Sequence, residues 1–407
     1  MLIDLLDLGD QYLSAFRDDD SKPPKFPLCL QICMHCHLVQ LSETAPRELL
    51  YRDDYGFYSG VNEGIVKDLE SAVIQALSWK PNATNWLDIA SNDGTLLSFV
   101  PQRIYRVGID PVEKFGELAL KHADRVISDY FSEQAVMTYE RDVIPAVTDT
   151  RFDVVTSISM FYDVDDPGEF VTQVAKVLAP NGIWVIQQNY VKAMLEANSL
   201  DNICHEHITY WSLAALVNLL DRHGMQVLDV QTSDINGGSF RTVVASKDAW
   251  FHPNSSVDAQ LKLERVAKLN EPHTYQEFGR RAYAELSKLR ALLDRINRRN
   301  QECYLYAAST RGAVIWQAAQ VDELDCRFAV ERNPDKVGKM FSAVGVPIIS
   351  EAEARDRKPA YMLIGPWWFR SQIIEREKRY LNSGGKLIFP LPHLEIIGKG
   401  GKPARET

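Results

Sequence analysis

The chain has no apolar run approaching the ~20 residues needed to span a bilayer, and its start, Met1-Leu2-Ile3-Asp4-Leu5-Leu6-Asp7, carries acids where a secretory leader needs basic residues. Neither a membrane span nor an export signal is expected, and the protein reads as cytoplasmic. Positive charge is also scarce: 45 Lys and Arg stand against 55 Asp and Glu, a formal net charge of -10. Such a balance disfavours general affinity for nucleic acid or an anionic membrane, so an anionic substrate must meet local Lys or Arg. Cysteine is sparse, at Cys29, Cys33, Cys36, Cys204, Cys303 and Cys326. In a reducing compartment the Cys33-x-x-Cys36 pair points to metal rather than to a disulfide. A zinc site needs four ligands, no second C-x-x-C exists, and Cys29, His35 and His37 lie too close for an ordinary ribbon. Cys33 and Cys36 therefore read as an incomplete site. Short-period repeats and low-complexity runs are missing too, apart from a polar tail, Gly398 to Thr407, that reads as frayed.

What is present suffices for two or three domains in 407 residues. Residues 1 to 60, punctuated by Pro23-Pro24 and Pro27, read as a small appended module. From Val61 to Leu77 apolar residues recur at helical spacing. Buried strands are then expected at Asn85 to Ile89, Val107 to Ile109, Arg125 to Ile127, Phe152 to Ser157 and Gly182 to Gln188, with a helix at Pro167 to Leu178. Strands alternating with helices predict a mostly parallel sheet covered on both faces, with the cofactor at the carboxyl ends of the strands. A helix at Ser212 to Arg222 and a strand pair, Met225 to Val230 and Phe240 to Ala245, complete a domain over 61 to 250. Residues 251 to 300, charged and helical from Lys262 to Arg299, read as a connection. From 301 to 407 the α/β theme repeats, with strands at Cys303 to Ala307, Phe328 to Val330, Tyr361 to Ile364 and Leu387 to Phe389.

The stretch from Trp86 to Leu97 reads as strand, tight polar turn and helix start. Tyr105 to Asp110 is a second strand ending in an acid, at the separation that a ribose-binding carboxylate needs in a β-α-β unit. A dinucleotide site wants three glycines around its pyrophosphate, whereas Ala90-Ser91-Asn92-Asp93-Gly94 is acidic with one glycine. It suits the cationic sulfonium of S-adenosylmethionine. Asp88 and the backbone through Ala90, Ser91, Asn92, Gly94 and Leu96 are expected to hold the methionine end, with Asp110 and Pro111 at the ribose. Asp129, ahead of Tyr130-Phe131, is expected near the adenine, or else caps a helix.

Three further constellations carry chemistry. His205-Glu206-His207 lies in a polar cluster beyond the fifth strand, where His207 is the candidate base with Glu206 orienting it. Metal binding and a structural hydrogen-bond network are the competing readings. In Asn236-Gly237-Gly238-Ser239-Phe240-Arg241, paired glycines let a ligand approach the backbone and Arg241 can pair with a phosphate, the alternative being a hairpin turn. Ala308-Ser309-Thr310-Arg311-Gly312 imitates a nucleotide turn without the glycine fingerprint. It reads as part of a domain that closes over substrate.

In order along the chain, Cys33-x-x-Cys36-His37-Leu38-Val39-Gln40-Leu41, Ser91-Asn92-Asp93-Gly94-Thr95-Leu96-Leu97, Gly108-Ile109-Asp110-Pro111, His205-Glu206-His207, Asn236-Gly237-Gly238-Ser239 and Gly384-Gly385-Lys386 resemble the three-domain sugar C-methyltransferases. The resemblance covers nearly the whole chain. It implies a zinc-ribbon-like N-terminal module, a class I methyltransferase domain with a doubly wound Rossmann-like sheet, and a C-terminal Rossmann-like domain. The implied donor is S-adenosylmethionine and the implied partner a nucleotide-linked 4-keto-deoxysugar, held by a monomer or homodimer. Tyr58, Ser59 and Tyr162 become candidate substrate contacts beside Asn236, Gly237 and Arg241. Departures are informative. Family members carry an earlier C-x-x-C shortly before the segment matching Leu6-Asp7-Leu8-Gly9, which is absent. Tyr162 stands where the antibiotic-sugar enzymes have an active-site histidine, and Cys204 where they often have tyrosine. Methyl transfer to oxygen or nitrogen, and cofactor binding without turnover, remain the alternatives.

Overall fold

The computed structural model describes residues 1–50, 58–143 and 151–404. Its central sheet has seven strands, from Asn85–Ile89, Tyr105–Ile109, Arg125–Ile127, Phe152–Ile158, Leu178–Asn189, Met225–Ser233 and Ser239–Ser246. Numbered in that chain order, they lie 3-2-1-4-5-7-6, the first five parallel and the last two an antiparallel hairpin. Trp86, Leu87 and Ile89 are buried on both faces of the sheet, as a strand covered by helices on each side requires. The reversal of direction on either side of Asn85–Ile89 leaves a crevice at the strands' carboxyl ends, where doubly wound sheets bind their ligands. Polar caps fix the flanking helices. Asn62 accepts from the Gly64 N–H at 2.8 Å to start Glu63–Trp79, and Asp166 accepts from Glu169 N–H at 3.0 Å to start Pro167–Val177. The expected α/β class and its parallel strands agree with this sheet.

A second doubly wound sheet fills the C-terminal part. Its parallel strands Cys303–Tyr306, Ala329–Glu331, Val346–Ser350, Tyr361–Ile364 and Lys386–Phe389 lie in the order 5-4-1-2-3. The N-terminal residues do not form a separate module. Leu2–Tyr12, Lys25–Cys33 and Val39–Leu41 build a sheet that is completed by Thr209–Tyr210 of the central domain. Phe16–Arg17 instead pairs with Met340–Phe341 at the edge of the C-terminal sheet.

The single charged connection expected from Lys262 to Arg299 is two helices, Ser255–Val266 and Pro272–Arg298. The first belongs to the central domain: buried Glu264 accepts the Tyr190 hydroxyl at 2.7 Å and the Ala214 N–H at 2.9 Å. The tail is tied down as far as Ala404, whose N–H donates to the Ile396 carbonyl at 2.8 Å; residues 405–407 lie outside the described residues. No helix among the described residues is long and apolar enough to cross a membrane.

Candidate active site

At the carboxyl ends of the central strands lies a cavity of about 470 Å³, within the range of small-molecule sites. Its floor is the turn after the first strand. There Ala90, Asn92 and Gly94 all take positive φ, at 58°, 49° and 79°. Two non-glycine residues in this region mark backbone strain held by its surroundings. Gly94 is required for space as well, since a Cβ would lie 2.6 Å from the Ala119 Cα. The Ala90 N–H donates to the Ile109 carbonyl at 2.8 Å, which ties the turn to the second strand. Asp110 then closes the arrangement: its two oxygens accept the Asn92 and Val112 N–H groups, each at 2.9 Å. Burial pushes its carboxyl upward while these two N–H groups counter the shift. Each carboxylate oxygen keeps a further lone pair for a diol.

Of the residues expected from sequence, Ser59, Ala90, Asn92, Asp110, Pro111, Tyr130, Phe131 and Asn236 line the cavity. Asp88 does not. It lies buried beneath the turn, accepts the Thr156 hydroxyl at 2.6 Å, and is pushed up to about 7 by burial, with neighbouring Asp110 adding to the rise. Ser91 and Leu96 are likewise buried behind the wall, Leu96 in the apolar core. Asp129 is exposed, is not among the lining residues and accepts the Tyr130 N–H at 2.7 Å, while Ser132 rather than Asp129 caps the following helix. Tyr58 packs edge-on against Phe115, beside the cavity rather than on its wall. Residues unforeseen from sequence are Arg47, Asp68, Ser159, Met160 and Gln187. Ser159, at φ 57°, directly follows the fourth strand, a position that strand topology alone could have flagged. Among the described lining residues six are acids, Asp68, Asp110, Asp163, Asp165, Asp166 and Glu169, against one cation, Arg47. Such a wall attracts a sulfonium and repels a pyrophosphate.

Arg241 corrects an expectation. Its guanidinium is buried, paired with Asp68 at 3.0 Å and bonded to Ser71 and Gln187, so it braces the cavity wall and has no face left for phosphate. Asn236-Gly237-Gly238 does turn the hairpin between the last two strands, and only Asn236 reaches the cavity. Gly238, at φ 117°, packs so closely on the helix Val191–Glu196 that a Cβ would come 2.3 Å from that of Ala193.

The His-Glu-His cluster lies beside this cavity. The His207 Nδ1 lies 2.9 Å from the Asn202 carbonyl, which can only accept; Nδ1 therefore carries the hydrogen and Nε2 the lone pair. Burial lowers the imidazole to about 3, and the Arg311 charge adds to the depression. Asn202, not Glu206, is thus the orienter. Glu206 turns to Cys204 and Thr310, and burial raises its carboxyl. His205 leaves the site altogether: its Nε2 lies 3.0 Å from the Phe26 carbonyl, in the seam with the N-terminal sheet. Tyr162 meets His207 edge to face, ring centroids 4.4 Å apart, and its next neighbour Asp163 lines the cavity. Cys204 is fully buried and its thiol held well above the usual range by burial.

Cys33 and Cys36 bound a turn at the end of Lys25–Cys33, where the backbone N–H groups of Cys36 and His35 lower the Cys33 thiol. Among the described residues no group of three or more His, Cys, Asp or Glu side chains is placed to hold a metal. Two thiols alone do not fit tetrahedral zinc.

A 3-2-1-4-5-7-6 sheet with its seventh strand reversed, an acid at the end of its second strand and an acid-lined cavity define a class I methyltransferase. Comparison with known proteins agrees. Residues 63–230 match a methyltransferase domain and residues 234–392 the C-methyltransferase C-terminal domain. The C-methyltransferase NovU of Streptomyces niveus is 27% identical over 394 residues, covering 96% of this chain and 90% of that protein. The chain is a methyltransferase dependent on S-adenosylmethionine, similar along most of its length to a C-methyltransferase. Among solved structures, a possible histamine N-methyltransferase of Thermotoga maritima is 17% identical, covering 45% of this chain and 90% of that one, with TM-score 0.34. The Burkholderia thailandensis 1,6-didemethyltoxoflavin-N1-methyltransferase is 16% identical, covering 51% and 95%, with TM-score 0.36. Neither likeness bears on the acceptor.

Proposed function

We propose that this C-methyltransferase acts on a nucleotide-linked 4-keto-deoxysugar, at a carbon next to the ketone. Carbon is a poor nucleophile until a proton is lost, and a neighbouring carbonyl makes that loss feasible. The observation that carries the reading is His207, neutral and held by Asn202 with its basic nitrogen defined. The α C–H bond breaks, the proton goes to His207 Nε2, and the electron pair delocalises onto the ketone oxygen as an enolate. The negative enolate supplies the counter-charge that burial withholds from the imidazolium. Asn202 is suited to the oxygen: its Nδ2 is buried without a partner, while its Oδ1 accepts from Asn189 Nδ2 at 3.1 Å. A desolvated, preoriented donor of this kind contributes roughly two to three powers of ten in rate. S-adenosylmethionine, when bound, supplies the electrophilic methyl group, and Asp110 with the Ala90–Gly94 turn would hold it. The nucleotide cannot share the acid-lined cavity without repulsion, which favours an acceptor lying between the two doubly wound domains.

The test follows solvent deuterium entering a 4-keto sugar nucleotide, and S-adenosylhomocysteine release, for wild type and His207→Asn. Wild type should exchange and turn over, and the variant should lose roughly two to four powers of ten in both. Undiminished exchange in the variant removes His207 from the role of base. Turnover on acceptors lacking the ketone would favour transfer to oxygen or nitrogen.

A further inference from the structure

Arg311 lies in the first turn of the helix Thr310–Ala318 of the C-terminal domain, yet its side chain bonds only outside that domain's sheet. Nε and Nη2 reach the Asp201 carboxylate at 2.8 and 2.6 Å, and Nη2 also reaches Ser199 Oγ at 3.1 Å. Nη1 donates to the Asn236 carbonyl. The flat of the guanidinium stacks on Trp368, 3.9 Å from the ring centroid. Asp201 itself is fully buried and also accepts the Ser199 hydroxyl at 2.8 Å. One side chain therefore joins three segments: the Asp201–His207 loop, the Asn236 hairpin on the donor cavity, and the Trp367-Trp368 turn after the fourth C-terminal strand. Such a buried, stacked pair, with Nε and Nη2 both on Asp201 Oδ2, fixes geometry more strictly than a Lys would.

We propose that Arg311 is a positioning residue for methyl transfer: delivered by the C-terminal domain, it locks the loop that carries Asn202 and His207 against the donor cavity. The assignment rests on His207 as the base. Next to Asp201, Asn202 sets the His207 tautomer through its carbonyl, so register of this loop and orientation of the base are one property. The charge acts in the same sense, because a cation close to a buried imidazole opposes a second positive charge. The other groups facing this cluster are Glu206, Cys204 and Tyr210 on its own segment and Tyr162 and Asp163 from the turn after the fourth strand. Arg311 is the cation among the groups that act on His207. Domain closure and readiness of the base are thereby coupled without any contact between Arg311 and substrate.

The experiment compares full-length wild type, Arg311→Gln and Asp201→Asn. Its readouts are turnover on a 4-keto sugar nucleotide, titration of His207 by histidine-labelled NMR, and donor binding by calorimetry. Arg311→Gln should lower turnover by at least tenfold and move the His207 titration to higher pH, with donor affinity within about threefold of wild type. Asp201→Asn keeps the cation but loses its anchor, so turnover should fall while the His207 titration does not rise. Because Arg311→Gln strands a buried carboxylate, which destabilises the fold, Arg311→Met combined with Asp201→Asn is the second variant; it should also lose turnover while binding donor. A His207 titration unmoved by Arg311→Gln, or turnover within threefold in the folded variants, overturns the assignment. Loss of turnover in Arg311→Gln with normal exchange in His207→Asn would instead overturn the base, and this coupling with it.

Discussion

Replacing Asp110 by Asn tests the donor site most directly. The carboxylate accepts the Asn92 and Val112 N–H groups, both at 2.9 Å, and is almost fully buried at the cavity wall. Asn retains one acceptor oxygen and presents an NH₂ to the other N–H, so a buried donor loses its partner, at a cost of about 1–3 kcal/mol in stability. The same change removes a charged acceptor from the ribose hydroxyls, worth about 1.5–3 kcal/mol, which corresponds to roughly 10- to 150-fold in Kd. The ribose is common to S-adenosylmethionine and S-adenosylhomocysteine. Calorimetric titration should therefore show both ligands weakened to a similar extent, within about threefold of each other. Loss confined to S-adenosylmethionine would mean that Asp110 faces the sulfonium and not the ribose. Unchanged affinity for both would refute the cofactor site itself.

Two stability predictions follow from buried groups that the chemistry does not use. Asp88 is an acid whose folded value, about 7, lies above its ordinary 3.8, so the native state binds more protons than the unfolded chain between these values. Stability is therefore greater on the acid side and falls as pH rises through that window. Asp88→Asn should flatten this dependence and gain a few kcal/mol relative to wild type at pH 8, read from urea melts at pH 5 and 8. Equal slopes would show that Asp88 is not the buried proton. Gly238→Ala combines a left-handed φ of 117° with an approach of 2.3 Å to the Ala193 Cβ. A loss of about 2–4 kcal/mol in thermal unfolding is expected, whereas Gly384→Ala, also at positive φ but with open space around it, should lose less.

Much of the fold was legible because buried parallel strands are short apolar runs ending at polar turns. Arg125–Ile127 and Tyr361–Ile364 fall where the periodicity put them. Local patterns also revealed the Ala90–Gly94 turn and Asp110, since both lie within one β-α-β unit. What local pattern does not carry is the direction of a side chain fixed by distant partners. Arg241 read as a phosphate ligand because a glycine pair precedes it, but the strand turns it toward Asp68, 173 residues away. Glu206 read as the partner of His207 by adjacency, whereas the carbonyl of Asn202 reaches Nδ1 first because the loop folds back on itself. Arg47 was invisible for the same reason, and Arg311, although it stood in a turn that was singled out, gave no local sign that it reaches Asp201.

The split of the N-terminal residues between two sheets has a consequence for how the domains are joined. Leu2–Tyr12 and Lys25–Cys33 are joined to the central domain through Thr209–Tyr210, while Phe16–Arg17, between them, is stitched to the edge of the C-terminal sheet. Only a few residues separate these pairings. The two large domains thus share a short backbone strap, a second covalent tie beside the helices Ser255–Val266 and Pro272–Arg298 that already connect them. Cutting the chain between the two sheets would leave each half carrying, or missing, a strand of the other.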